Sequence, residues 1–492
     1  MNEEYNNEEY EEYDSFEEDA KVVREALPFV VREFEKSALE VSHRNGIPAS
    51  ISYFALLGQI CKDFIRIPNG RNIEDSRIHF CWVQTSGTGK STLWNFVGRV
   101  ADKTFKRINE LNVHPPFMNN DNIPITRTFN TFSVTDYTDS VLIGKYVKET
   151  NEDADDGFEW RRRAGILEGS GLAHWDEFEY SGVFKQSQHK EQSIVYLNTL
   201  MNSLAGESWI ISKALDSMDG QTMECYCERS VLAMTYPPNN LNNVMAEKGV
   251  LQRMLLYVWE VPQYIQDEMR LEQIEKAGIV EEVNAPIDRF ADSLVKIYQL
   301  VKEKYDEVGQ DPLKTIKYSE DFRQALKLEY TEMNLYLQNT RPDVAKICSN
   351  FTTRLMKILI KMSVLCSVAS APSISKKSDR FVVTGSHVGQ AAVIVQQCYK
   401  TLVMWLEQSL KVKRQSIAEN SLEPLFISTY DKIKKDENGY VNKSLFLTEV
   451  RKRAKKSRAQ IYRYYDIIRH KFEEVKEGRS TYIKLTIRGE EI

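Results

Sequence analysis

Residues 78–92 read IHFCWVQTSGTGKST. Ile78 to Val83 is an apolar run that predicts a buried strand, and Thr92 to Ala101 carries a helical pattern. Between them lies a glycine-containing loop that ends in Lys90 and Ser91. Strand, glycine loop, Lys-Ser and helix in this order form the phosphate-binding P-loop pattern. Backbone N–H groups of Ser86 to Lys90 are expected to wrap a β-phosphate, with the helix N-terminus adding partial positive charge. Lys90 is placed to reach the β- and γ-phosphates, and the Ser91 hydroxyl to hold Mg²⁺. The nucleotide-contacting stretch is therefore Thr85, Ser86, Gly87, Thr88, Gly89, Lys90, Ser91 and Thr92, and the ligand ATP or a related nucleotide. One position departs from G-x-x-x-x-G-K-[ST]: Gln84 stands where the first glycine belongs. That glycine eases the exit from the strand and supplies no phosphate ligand.

The second half of such a site is an acidic pair at a strand end. GLAHWDEFEY, residues 171–180, supplies it about 85 residues downstream. Gly171 to Trp175 is the short strand, Asp176 the partner of Ser91 on Mg²⁺, and Glu177 the general base for the attacking water. Glu179 is a weaker substitute for either acid. A third strand, Ser230 to Thr235, ends before Tyr236-Pro237-Pro238-Asn239. Thr235 is the candidate γ-phosphate-sensing side chain, with Asn239 or Asn240 behind it; the plainer reading is a turn residue satisfying its own backbone. Arg253, in Gly249-Val250-Leu251-Gln252-Arg253 before an apolar strand, is the candidate for an arginine that acts on a neighbouring subunit's γ-phosphate. An intrachain salt bridge is the alternative for Arg253, and Arg229 is the second candidate. Residues 208–228 read as a hairpin, WIISKAL and TMECYC around DSMDGQ, on which Lys213 is placed to touch a phosphate backbone.

The rest of the chain frames this core. At 492 residues it is long enough for two to four domains, and 42% hydrophobic with 28% charged residues is ordinary globular composition. No run of uncharged apolar residues reaches the length of a membrane span, and the acidic N-terminus is unlike a signal or transit peptide. The seven cysteines lack paired CxxC spacing, and Cys225 and Cys227 share one strand face without making a zinc site. Reduced thiols and a cytoplasmic location follow as the expectation, the host cytoplasm if the chain is phage-encoded. Residues 1–19 hold ten acids and no base, interleaved with Tyr5, Tyr10, Tyr13 and Phe16, and predict a disordered tail. It is either a plain solubilising tail or an acidic-aromatic segment that imitates a nucleic-acid strand or docks on a basic replication partner.

Residues 20–74 read as a helical lead-in, two helices broken near Asn45-Gly46-Ile47-Pro48. Ser50 is the N-cap candidate of the second, whose Ile51, Phe54, Leu57 and Ile60 form one face. Residues 75–265 alternate strand-like and helical runs, an α/β layer fold that includes the strand-like TFNTFSVT at 128–135 and a solvated acidic loop, NEDADD, at 151–156. Arg161-Arg162-Arg163 reads as a basic run paired with that loop. Residues 280–411 are mostly helical, with Phe351–Ala369 and Val388–Leu410 as interior helices around a connector at 372–379. Residues 420–492 read as a winged helix: helices at 422–434, 443–454 and 457–472, then a hairpin wing. Between residues 443 and 471, ten Lys/Arg face two acids, a net of +8 in a chain that is −6 overall. This is the electrostatic footprint of a DNA-binding module, with Arg451, Arg453, Lys455, Lys456, Arg458 and Arg463 as contact candidates. A solvated basic face or a protein-docking module is the alternative.

The order TSGTGKST, VTDYTDSVLIG, LAHWDEFE, TYPPN and GVLQRMLLYVWEVP, followed by RLMKILIKMSVL and VTGSHVGQAAVIVQQ, resembles the P-loop ATPases of phage and mobile-element replication modules. These are relatives of DnaB-type and primase-helicase proteins with a RecA/AAA+ core, and the likeness covers roughly residues 45–410. The resemblance implies a homo-oligomeric, hexameric ring that translocates on single-stranded or forked DNA using ATP and Mg²⁺. It implies no primase, since no zinc-binding primase module is visible. The alternatives are an ATP-switched replication initiator or helicase loader, and a DNA-packaging motor. Against the last, no cluster of carboxylates suited to a nuclease follows residue 280.

Overall fold

The computed structural model describes residues 21–486 except 22, 112–116, 119–123, 126–127, 135–136, 151–157, 179–180, 182–191, 203–208, 215–221, 238–248, 277–283, 374–377, 420–422, 455–457, 459–460, 463–464, 466–467 and 479. The chain divides into two compact units, Met1–Trp405 and Leu406–Ile492. The acidic tail at 1–19 and the acidic loop at 151–156 lie outside the described residues. Among the described residues no helix is long and apolar enough to cross a membrane.

Short apolar runs build the sheet of the first unit: β1 (Phe80–Gln84), β2 (Phe129–Val134), β3 (Gly169–Trp175), β4 (Trp209–Ala214), β5 (Thr222–Thr235) and β6 (Leu255–Trp259). Five strands run parallel in the order β6-β1-β5-β3-β2. The residues of β1, FCWVQ, are all buried, as a parallel strand covered on both faces requires. The expected hairpin and the expected third strand are one element. The first half of β5 pairs antiparallel with β4, from Trp209↔Cys227 to Ala214↔Thr222, and its second half runs between β1 and β3. Because β5 is inserted there, Thr235 is in register with Val83, and Ala233 with Trp175. The carboxyl ends of β1, β5 and β3 therefore lie side by side, the edge at which open parallel sheets bind ligands.

The longer helices that begin in this unit are α1 (Phe29–Val41), α2 (Gly46–Cys61), α3 (Lys90–Glu110), α4 (Ser193–Leu200), α5 (Gln263–Glu275), α6 (Asn284–Glu307), α7 (Glu320–Gln338), α8 (Pro342–Ser370) and α9 (Gly385–Glu419). α2 lies against β1, β3 and β5, with α1, α3, α6 and α8 around it. Phe34 of α1 meets Tyr53 of α2, Phe96 of α3 and Phe290 of α6 at ring distances of 5.0, 5.3 and 5.1 Å. Polar groups pin α2 to the sheet. Gln59 donates to the Glu228 carbonyl at 2.8 Å and accepts the Ser230 hydroxyl at 2.9 Å. Fully buried Lys62 pairs with Glu228 and Asp63, each at 2.8 Å.

Three expectations about this lead-in are corrected. The second helix begins at Gly46, so Pro48 falls in its first turn, where a missing N–H costs nothing. Ser50 is therefore inside the helix and not its N-cap; its hydroxyl donates to the Glu35 carboxylate at 3.2 Å. Nor is the helix one-sided: every residue from Gly46 to Cys61 is buried. The lead-in also ends in a hairpin, Arg66–Asn69 with Asn72–Asp75, where helix was expected. The helical region is α6 to α9, crossed by one short parallel pair, Ile316–Tyr318 with Phe381–Val383. α9 continues past the expected end at 411, and the division between the units falls within it.

The second unit contains α10 (Glu423–Lys432), β7 (Val441–Asn442), α11 (Lys443–Ala454), β8 (Phe472–Glu477) and β9 (Ser480–Leu485). Its sheet is antiparallel in the order β7-β9-β8. Phe426, Tyr430, Phe446, Tyr465 and Phe472 form a buried aromatic cluster. The Asp436 carboxylate accepts the N–H groups of Asn438 and Tyr440 and closes the expected turn, with Gly439 at φ 82°. Residues described between α11 and β8 are helical up to Ile468. That helix ends before the expected Phe472, which already belongs to β8.

Candidate functional site

β1 ends at Gln84, and α3 starts at Lys90, so residues 85–89 make a tight connection at the carboxyl edge of the sheet. Gly89 sits at φ 81°, and a Cβ there would come within 2.6 Å of the Ser42 hydroxyl. Both the backbone and the neighbour demand glycine. A cavity of about 320 Å³ opens above this loop. Ser86, Gly87, Gly89, Lys90, Ser91 and Thr92 line one side of it, and Asp176, Glu177, Thr235 and Tyr236 the other. Its size lies at the lower end of ordinary small-ligand sites. Thr85 and Thr88 shape the loop from behind. The Thr88 hydroxyl donates to the Thr85 carbonyl at 2.7 Å, and the Thr85 hydroxyl accepts the Val261 N–H at 3.0 Å.

Lys90 folds its ammonium over the loop, donating to the carbonyls of Gln84 at 2.6 Å and Thr85 at 2.9 Å. Asp176 follows β3 directly, its N–H given to the Val134 carbonyl at 3.0 Å. Glu177 is exposed and held at φ 53°, the left-handed region that non-glycine residues avoid. Its N–H is taken by the Asp176 carboxylate at 3.2 Å. Thr235 lines the cavity, yet its hydroxyl donates to the Tyr236 carbonyl at 3.0 Å. Ser91 and Asp176 both line the cavity and are the pair suited to a divalent cation. Among the described residues no group of three or more His, Cys, Asp or Glu is gathered for a metal. That donor set fits an ion such as Mg²⁺, which leans on one or two protein oxygens and completes its shell with ligand oxygens and water.

Gln84 does more than replace a glycine. Its buried amide donates to the Asn45 side-chain oxygen at 3.0 Å and the Thr88 hydroxyl at 2.8 Å, while its oxygen accepts the Trp82 indole N–H at 2.6 Å. Asn45 donates to the Thr88 carbonyl and the Ser42 hydroxyl, each at 2.8 Å, and Ser42 donates to the Gly89 carbonyl at 2.9 Å. The turn between α1 and α2 thus braces the loop from outside the sheet. Sequence reasoning missed Ser42 and Asn45. The available signal was an N-cap residue, Asn45, whose side chain has a partner other than its own helix.

Arg253 does not reach this cavity. It precedes β6, at the amino ends of the parallel strands, and a five-residue strand puts about 16 Å between the two edges. Its guanidinium donates to the Asn202 and Asn198 side chains at 3.1 and 2.9 Å and to the Gly249 carbonyl at 2.9 Å, hydrogen bonds to neutral groups rather than the salt bridge of the alternative reading, among the described residues. Arg229 is corrected from trans-acting candidate to structural residue. It is buried and donates to the carbonyls of Glu168, Asn130 and Ser170, with burial lowering its pKa to about 10. Arg163 pairs with Glu149 of the adjacent strand at 3.3 Å, where the acidic loop was the expected partner. The Cys225 and Cys227 sulfurs are buried 3.3 Å apart on one face of β5.

On the second unit, Arg451, Arg453 and Arg458 are exposed. Arg453 lies 3.7 Å from Glu449, and Arg458 lies over the Tyr462 ring at 5.4 Å. Lys455, Lys456, Arg463, Glu179, Asn239 and Asn240 lie outside the described residues, as does the side chain of Lys213, whose backbone is in β4 opposite Met223. No family model matches the chain, and no curated protein matches it.

Proposed function

We propose that the chain is an ATP-driven DNA helicase or translocase with a RecA/AAA+-type P-loop core and a C-terminal winged helix. One observation carries the reading: Lys90 and Ser91, Asp176 and Glu177, and Thr235 line a single cavity at the carboxyl ends of three adjacent parallel strands, although they are far apart in the chain. In this reading the loop N–H groups and Lys90 bind the polyphosphate. Ser91 and Asp176 would hold Mg²⁺, whose positive charge would offset that of the phosphates. The Glu177 carboxylate takes a proton from water as the water oxygen bonds to the γ-phosphorus and the bond to the ADP oxygen breaks.

In this reading Arg253 acts between copies of the chain. It lies at the sheet edge opposite its own cavity, so its charge serves a γ-phosphate only when that nucleotide belongs to a second copy, as in a hexameric ring. The exposed arginines of the second unit supply duplex or fork contact.

Steady-state ATP hydrolysis with and without single-stranded DNA, beside Glu177→Gln, tests this. Severalfold stimulation by any single strand, lost in the variant, is expected. A second reading, an ATP-switched initiator, is favoured by the self-contained core of the basic second unit, since a duplex reader needs no translocation. Slow hydrolysis indifferent to single strands would select it.

A further inference from the structure

At the amino edge of the sheet, a cleft of about 40 Å³ opens beside His79 and Arg253. That is room for about three waters or one tetrahedral oxyanion. Glu74, Arg354, Lys357 and Lys361 also line it. His79 is 4% exposed, and its Nδ1 accepts the Val231 N–H at 3.1 Å. Burial, then the charges of Arg77 and Lys361, hold this imidazole well below its ordinary pKa, so the ring is neutral. With Nδ1 accepting, the single ring proton is on Nε2. Nε2 has no partner among the described residues. A buried donor without an acceptor is a cost that folded chains avoid.

The charges around that donor are out of balance. Arg77 is matched by Asp75 at 3.0 Å. Lys357 and Lys361 share one carboxylate, Glu74, at 2.7 and 3.7 Å. Arg253 is bound by amides and a carbonyl, and neither it nor Arg354 has an ion pair among the described residues. The two guanidiniums sense each other: burial first, and then the charge of Arg354, lower the pKa of Arg253. Four cations therefore stand around one carboxylate and one unpaired N–H donor.

We propose that this cleft is a phosphoryl-oxyanion site, in which Arg253 and Arg354 take the oxyanion from two sides and His79 Nε2–H donates to a third oxygen. Guanidinium forks match a tetrahedral phosphoryl group and, unlike ammonium groups, hold it in a fixed orientation. The site itself does not rest on the nucleotide reading, because none of these residues lines the other cavity; only the second of its two sources does. The phosphoryl group has two sources: inorganic phosphate, or the polyphosphate of a nucleotide held by a second copy.

The test uses the full chain carrying Lys90→Ala, which removes the phosphate-binding lysine of the glycine loop. Phosphate is titrated against chloride at matched ionic strength, reading the thermal midpoint and the His79 imidazole NMR signals. A rise of a few degrees with a moving His79 signal, abolished by Arg354→Gln and partly restored by Arg354→Lys, supports a site for free phosphate. If phosphate alone is silent, ATP added to the Lys90-intact chain over a range of protein concentrations reads the second source. A His79 shift that grows with protein concentration and is lost in Arg354→Gln supports a phosphoryl group from a second copy. No His79 response in either arm, or the same response in Arg354→Gln, overturns the proposal.

Discussion

Glu177 carries its side chain at the candidate site on a left-handed backbone, a conformation that costs a non-glycine residue about 1–2 kcal/mol. The strain aims a carboxylate at the cavity, so stability and function oppose each other at this position. Asn tolerates that region better than Gln does. Glu177→Asn is therefore expected to be more stable than Glu177→Gln by about 0.5–1 kcal/mol in urea unfolding, with both inactive in hydrolysis. Gln84 makes the opposite point about patterns. Gln84→Gly restores the expected P-loop sequence, yet it strands the Trp82 N–H and the Asn45 oxygen in a buried place. It is expected to lower stability by at least about 2 kcal/mol and to weaken MgATP binding, read by denaturation and calorimetry. That Lys90, Ser91, Asp176 and Glu177 gather at one cavity was legible because each of the two motifs is local and each residue type has few roles. The brace was not, because Gln84 meets a partner in the turn between α1 and α2, 39 residues away.

Elements extend the same logic. α3 and β3 meet where the His174 imidazole stacks on the Trp94 indole at 3.7 Å and 8°. Burial pushes the His174 pKa down to about 3. The folded pKa lies below the unfolded one, so this contribution is complete above about pH 6.5 and is lost as pH falls towards 3, at up to about 1.4 kcal/mol per unit. Between pH 7 and pH 5, His174→Gln is expected to lose about 2 kcal/mol less stability than the parent, measured by urea midpoints at the two pH values. The β2–β3 pairing depends on Gly171, at φ 120°, where a Cβ would come within 1.9 Å of the Asn130 carbonyl. Gly171→Ala is expected to disrupt the sheet edge and drop the thermal midpoint by several degrees. β1 and β3 were legible as apolar runs. α2 was read as one-sided, although GIPASISYFALLGQIC offers no charged face. A helix apolar all round is an interior helix. Ser50 was taken for a cap because a helix start is signalled by residue type, and Pro48 disguised the turn that precedes it.

At the scale of the whole chain, a near-neutral composition conceals a basic unit. Residues 406–492 have an aromatic core of their own and are expected to fold as an isolated fragment, with a cooperative thermal transition by circular dichroism. If the exposed arginines contact phosphates, duplex binding by the full chain should fall steeply with salt. Arg451→Ala with Arg453→Ala should then reduce the log–log salt slope by about 1.8, measured by fluorescence anisotropy. An unchanged slope would assign those arginines to a solvated face. The basic charge of the terminal unit is legible in the sequence, whereas the core and the helical region, expected as separate domains, fall in one compact unit. The place of division is not legible there, because α9 runs unbroken past the expected end at 411. The function proposed for the core depends on a nucleotide occupying the cavity above Lys90. The most direct measurement is calorimetric titration of MgATP into the full chain beside Lys90→Ala. Saturable binding of one nucleotide per chain, weakened at least about tenfold by the variant, is expected. Equal affinity in the two proteins, or no binding by either, would contradict it.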